Sequence, residues 1–223
     1  EGSLKAGHTP KVAVYGSQTE VGSSLNYMSV AIVDANGTDV SDYYEIDIKL
    51  GTLTVNKAPL TITSVSKAKP YDGKLLESHE YAISENSKLA PGHRISADFT
   101  QSVTYVGTVA NTFSVTVLDS QSRDVTANYD ITKEFGSLVV TPRSITVKSP
   151  SASKIYDGEP LEDTSFETDE DSLVEGDYII VDNDSSITNV GTIVNDFSVK
   201  IVNKDGNDVS FNYIISCQKG TLQ

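Results

Sequence analysis

The sequence predicts an all-β chain, built from tandem small β-sandwiches of about 85 residues each. Three observations predict it. Long segments recur at a spacing of 84 or 85 residues, apolar residues alternate with a period of two inside each copy, and no apolar stripe of 3.6-residue period reaches helical length.

The recurrence is extensive. KPYDGKLL at 69–76 returns as KIYDGEPL at 154–161, and YVGTVANTFSVTVLD at 105–119 as NVGTIVNDFSVKIVN at 189–203. LTIT at 60–63 matches ITVK at 145–148, LAPGH at 89–93 matches LVEGD at 173–177, and DVTANYDIT at 124–132 matches DVSFNYIIS at 208–216. Residues 1–58 fall into the same register through LKAGH at 4–8, EVGSSLNYMSVAIVD at 20–34 and GTLTV at 51–55. This first copy lacks the half that contains YDG. The expected organisation is therefore a partial repeat at 1–58, a second repeat at 59–142 and a third at 143–223.

Each element then follows in order. Leu60–Ser66 opens the second repeat as a strand, and a short run surrounds Tyr81. Ile95–Thr104 and the strand from Phe113 follow, the latter placing Phe113, Val115 and Val117 on one face and Ser114 and Thr116 on the other. Tyr129 with Ile131 and Leu138 with Val140 continue the alternation on either side of Gly136, which predicts a hairpin. Six or seven short strands in a unit this long fit an immunoglobulin-like sandwich without the Cys and Trp landmarks. The alternative is a β-grasp-like α+β unit, which would need a helix within residues 75–92. The YDG triplets, Tyr71, Asp72, Gly73 and Tyr156, Asp157, Gly158, read as structural turns: glycine supplies φ > 0, Asp bonds the local backbone, and the tyrosine anchors the turn onto the core.

Composition narrows the function. A net charge of −14 argues against nucleic acid, because phosphate binding needs clustered Lys and Arg. Apolar runs as short as Tyr178–Val181, none longer, predict no membrane contact by this segment. A signal peptide or C-terminal anchor is not seen, so in an exported parent those parts would lie elsewhere. One cysteine, Cys217, makes no internal disulfide.

No catalytic pattern is present, so the chain is expected to be no enzyme and to need no cofactor or metal. His8 and His93 are equivalent, but the third repeat has Asp177 there, and the position reads as a solvated turn. DANGTD at 34–39 and NKDGND at 203–208 resemble the start of a calcium loop, yet the second repeat has DSQSRD, and hairpin turns explain all three. The acidic run at 167–177 reads as a solvated loop. Amide clamps joining Lys69 and Lys154 to Asn128 and Asn212 would replace disulfides in a cysteine-poor chain; solvated lysines and turn-forming asparagines are the plainer expectation.

The ordered set K-x-Y-D-G, L-x-x-G-[HD], V-G-T, N-x-F-S-V, D-V-[TS]-x-N-Y and G-T-L resembles the YDG and MBG-type repeats of large bacterial surface proteins and adhesins. That resemblance spans essentially the whole chain. It implies an extracellular, wall-attached and Gram-positive setting, with the units forming a stalk below an adhesive tip, and it carries no catalytic or binding residues with it. Two functions follow as expectations. One is a structural spacer, monomeric, whose partners are neighbouring repeats. The other is an adhesin module binding a host glycan or surface protein through its loops. Recurring exposed aromatics would favour the second, but Tyr27, Tyr43 and Tyr105 have Thr112, Asn128 and Asn189 as counterparts. The short proline-bearing links NKAP (56–59) and TPRS (141–144) predict units set end to end.

Overall fold

The computed structural model describes residues 3–169 and 172–223. Of the acidic run at 167–177, Glu170 and Asp171 lie outside them. Among the described residues every regular element is a strand or a single 3-10 turn, with no α-helix, and no helix is long and apolar enough to cross a membrane. Residues 75–92 hold the strand Tyr81–Ile83 in place of the helix that a β-grasp unit would need.

The chain forms two compact units. One comprises Glu1–Thr61, Ile83–Ser96 and Thr116–Thr132, the other Ile62–Ala82, Ala97–Val115 and Lys133–Gln223. The second repeat thus contributes to both.

In the first unit Thr9–Val14 runs antiparallel to Met28–Val33, from Thr9 opposite Val33 to Val14 opposite Met28. Gly22–Asn26 runs antiparallel to Gly51–Val55.

In the second unit the third repeat is the more complete copy. Arg143–Lys148 lies between Tyr213–Gln218, parallel to it, and Glu167–Thr168, antiparallel. Asp177–Asp182 pairs with Ser198–Asn203, Leu161–Glu162 with Ser186–Ile187, and Ile193–Val194 with Thr221–Leu222, all antiparallel. From the second repeat, Ser137–Thr141 stands between Lys67–Pro70, parallel, and Gly107–Ala110, antiparallel. The alternating faces converge on a core that includes Leu138, Val140, Ile145, Val147, Phe197 and Ile201. At this site the links shrink to Asn56–Lys57 and Pro142, because the flanking strands run almost into one another.

The expected hairpin at Gly136 is not formed. Ser137–Thr141 does not pair with Tyr129–Glu134, and in the third repeat Tyr213–Gln218 and Thr221–Leu222 likewise have different partners. Each pair is one extended run that changes neighbours at the glycine. Neither Gly136 nor Gly220 has positive φ, so turning is not what these glycines do. A Cβ on Gly136 would lie 2.5 Å from the Ser64 carbonyl oxygen, and one on Gly220 would lie 2.2 Å from that of Pro150. The first and last strands pass so closely here that only glycine fits.

A buried polar pin holds the crossing. Ser64 Oγ donates to the Asn111 carbonyl (2.7 Å) and accepts from Gly136 N–H (2.9 Å), while Asn111 Nδ2 donates to the carbonyls of Val65 and Ser78 (both 3.1 Å). Ser149, Asn195 and Gly220 repeat the arrangement. The strand change strips ladder partners from these carbonyls, and the asparagine, itself fully buried, supplies replacements.

Candidate functional site: the joints between repeats

The D-V-[ST]-x-N-Y motif assembles the leading end of each repeat. Asp39, Asp124 and Asp208 accept the backbone N–H of Ser41, Thr126 and Ser210, each at 2.9 Å. Those hydroxyls in turn accept from the strand N–H groups of Ile32, Val117 and Ile201 at 2.8 to 2.9 Å. One 3-10 turn follows, Thr126–Asn128 or Ser210–Asn212, and it ends on the asparagine of the motif. Asn128 Oδ1 accepts from Val21 N–H (2.9 Å), and Asn212 Oδ1 from Val106 N–H (2.8 Å). Val21 and Val106 are equivalent, so the two contacts are one joint made twice, the first within the first compact unit and the second within the other.

The tyrosine of the motif folds back inside its own repeat. Tyr44, Tyr129 and Tyr213 hydroxyls accept from Lys5, Ala90 and Val174 N–H, all at 3.1 Å. Each has one proton left to donate. His8 Nδ1 (2.8 Å), His93 Nδ1 (2.6 Å) and Asp177 Oδ2 (2.7 Å) stand at that proton. A neutral imidazole and a carboxylate are both acceptors, which explains why His can become Asp at this position. The solvated-turn expectation is corrected accordingly: Asp177 is buried and both histidines are half-buried.

The YDG turn belongs to the second joint. Asp72 Oδ1 accepts from Lys74 N–H (2.9 Å) and pairs with Lys69 Nζ (2.6 Å), and Gly73 has φ +72°. The Lys69 side-chain bond, and then the Lys74 N–H, hold the Asp72 carboxyl below its ordinary range. Asp157, Lys154 and Gly158 repeat this geometry. Tyr71, however, does not close over its own repeat. Its ring packs edge-on against Tyr213 at 5.5 Å and stacks on Tyr105, and its hydroxyl donates to Asp177 Oδ2 at 3.3 Å. Tyr71 is 3% exposed, whereas Tyr156, the same residue one repeat later, is 63% exposed. Val190, the counterpart of Val106, is 91% exposed beside a cleft of about 350 Å³ lined by Tyr156, Leu161 and Ile187. Burial first, then the charge of Asp177, pushes the Tyr71 hydroxyl up to about 12, and the same causes raise Tyr213 further.

Other residues singled out from sequence have local partners. Lys69 and Lys154 pair with Asp72 and Asp157, and the side-chain oxygens of Asn128 and Asn212 accept from the backbone N–H groups of Val21 and Val106. In the calcium-like loops Asp34, Asp119 and Asn203 each accept two backbone N–H groups of their own loop. Among the described residues no three acidic, His or Cys side chains converge as a metal site would require. His79 stacks on Phe99, and Cys217 is exposed. Asn111 and Asn195, the pins of the strand crossing, escaped notice in the sequence; their recurrence within N-x-F-S-V was the available signal. Comparison with models of known protein families gives no match for this chain, and no curated protein matches it.

Proposed function

We propose that the chain is a run of non-catalytic, sandwich-type spacer repeats from the stalk of a bacterial cell-surface protein, placed outside the cell and holding an adhesive tip away from the wall. The observation that carries this reading is the joint made twice, in which a buried or half-buried asparagine of one repeat bonds the V-G backbone of the repeat before it. Residues that recur are spent on the internal crossing and on the joints, while the loops differ from copy to copy. The motif resemblance supplies the cell-surface setting. A spacer needs extension, and two and a half units end to end have a radius of gyration of roughly 30 Å, against about 17 Å for a compact chain of this length. Small-angle scattering on the monomer reads the difference, and the compact value would overturn the proposal.

The second reading, a module that binds a host glycan or protein, is favoured by one observation: Tyr43 is 83% exposed on the leading end of the first repeat. Saturable binding of the chain to a glycan or matrix-protein array, lost on Tyr43→Ala, would establish it over the spacer.

A further inference from the structure

Every repeat has one strand at a sheet edge, and the three copies of that strand differ in what guards the edge. Thr9–Val14, Arg94–Phe99 and Asp177–Asp182 pair with Met28–Val33, Phe113–Leu118 and Ser198–Asn203, and among the described residues no strand takes their other side. In the third repeat the backbone of Ile201 turns away from this pair, its N–H donating to Ser210 Oγ and its carbonyl accepting from Val209 N–H. Lys200 and Val202 therefore bond their opposites Ile180 and Tyr178, and Ile179 and Val181 turn their N–H and C=O groups to the open edge. In the first repeat Ile32 has the same two bonds, with Ser41 and Val40, so Pro10 stands on the open edge where Ile179 stands in the third.

An unpaired edge invites another strand, and proline or an exposed charge blocks it. Pro10 has no N–H to offer, and Lys11 follows it. The second repeat places exposed Arg94 and Asp98 on its edge strand, with the small Ser96 between them. The third has no such device within Tyr178–Val181: Asp177 is buried against Tyr213, and Asp182 comes only at the strand's end. Tyr178 and Ile180, the counterparts of Arg94 and Ser96, are 57% and 50% exposed.

We propose that the edge of Asp177–Asp182 is a docking site for an extended segment of a partner protein, apolar at its centre and flanked by lysine or arginine, which adds to the sheet as a further strand. Main-chain bonds to Ile179 and Val181 supply affinity, and apolar side chains extend the Tyr178 and Ile180 row on one face and the Ile179 and Val181 row on the other. Charge selects the flanks. Residues 143–223 carry 15 acidic residues against six basic ones, with Glu175 just before the strand and Asp182 and Asp184 at its far end. A second copy would set the same excess against itself. The inference does not depend on the spacer reading, because an edge strand binds its partner whether or not the repeats form a stalk.

The test is the fluorescent peptide KKVTVIVKK, titrated into the full chain and followed by anisotropy and residue-resolved amide exchange. Saturable 1:1 binding is expected, with the amides of Ile179 and Val181 exchanging at least about tenfold more slowly. Those of Tyr178 and Ile180, already bonded to the neighbouring strand, should change little. The acidic-flanked EEVTVIVEE and the proline-bearing KKVTPIVKK should not saturate. Ile179→Pro and Ile180→Lys give the third repeat the guards of the first, and each should weaken binding at least about tenfold. Ile180→Lys replaces an exposed side chain, so it keeps the test decisive should Ile179→Pro unfold. No saturation at millimolar peptide, unchanged binding to Ile180→Lys, or exchange at Ile179 and Val181 unaffected by bound peptide would each overturn the proposal. Dimerisation of the free chain that Ile180→Lys abolishes would assign the edge to a second copy and overturn the partner named here.

Discussion

Gly73 and Gly158 allow the YDG joint to be weighed, because the two glycines are alike in every respect except what stands over them. Both lie in the left-handed region, at φ +72° and +86°. Alanine at either position costs about 1 kcal/mol of conformational strain, partly offset by the lower entropy of the unfolded chain. At Gly73 the new Cβ would also lie 2.9 Å from Val174 Cγ1 of the next repeat, while at Gly158 it meets nothing within 4 Å. Overpacking of this kind adds roughly 1 to 3 kcal/mol. Urea unfolding followed by tyrosine fluorescence should therefore show Gly73→Ala more damaging than Gly158→Ala by that increment. Val174→Ala in the Gly73→Ala background should recover part of it, since the clash is with that side chain, and the resulting cycle isolates the coupling. Equal losses at the two glycines, or no coupling to Val174, would refute the claim that the YDG turn is a joint.

Tyr71 predicts a loss of stability in alkali. Below pH about 10 both states hold the proton; from there to about 12 the unfolded chain releases it and the folded chain does not, so stability falls by about 2 to 3 kcal/mol as pH rises through that window. Tyr71→Phe should flatten the pH dependence of the urea midpoint between 9 and 11.5, and an unchanged slope would count against a buried hydroxyl. Alanine at Gly136 or Gly220 should cost at least about 2 kcal/mol in thermal or urea unfolding, because the Cβ meets backbone; a loss under 0.5 kcal/mol at both would remove the strand crossing as their reason. Ser122, at φ +64°, stands where the first and third repeats have glycine, so Ser122→Gly should stabilise by up to about 1 kcal/mol in the same assay despite losing the exposed Arg94 bond. In acid, the carboxyls of Asp39, Asp124 and Asp208, held low by their Ser or Thr partners, contribute stability present above the ordinary carboxylate range and lost as pH falls through their depressed values, so Asp124→Asn should lessen the acid sensitivity of the midpoint.

The all-β character was legible because alternation with a period of two is a local signal, and the repeat because evenly spaced similarity needs no structural knowledge. Leu60, Ile62, Phe113, Val117 and Leu138, all inward in the alternating pattern, are buried. The partners of the strands were less legible. Only Phe135 and Gly136 separate Tyr129–Glu134 from Ser137–Thr141, and sequence proximity favours a hairpin; the parallel neighbour Lys67–Pro70 comes from some seventy residues earlier and leaves no local trace. Tyr71 and Tyr156 mark the same limit from the other side. Their triplets are identical, so the burial of Tyr71 comes from its partners Tyr105, Tyr213 and Asp177 and not from the triplet itself.

The joints also explain why some positions vary together. Glu20, Tyr105 and Asn189 are equivalent, as are Ala127 and Phe211 on the leading ends. At the first joint Glu20 accepts from Asn128 Nδ2, and beside it stands the small Ala127. At the second, Tyr105 has replaced the carboxylate and packs against Phe211 at 5.9 Å and against Tyr71. The exchange leaves a cost visible in the structure: Asn212 Nδ2 is buried without a partner, a deficit of about 1 to 3 kcal/mol. Three aromatic rings and the shared Asp177 offset it. A carboxylate trailing end therefore suits a small leading end, and an aromatic trailing end suits an aromatic one, so repeats alike in fold are not interchangeable in order. Tyr105 on the first joint would face Ala127 with no ring to meet it, and Glu20 on the second would place a charge against Phe211. Specificity of succession resides in these two positions, while the Asn–backbone bond that both joints share supplies the register.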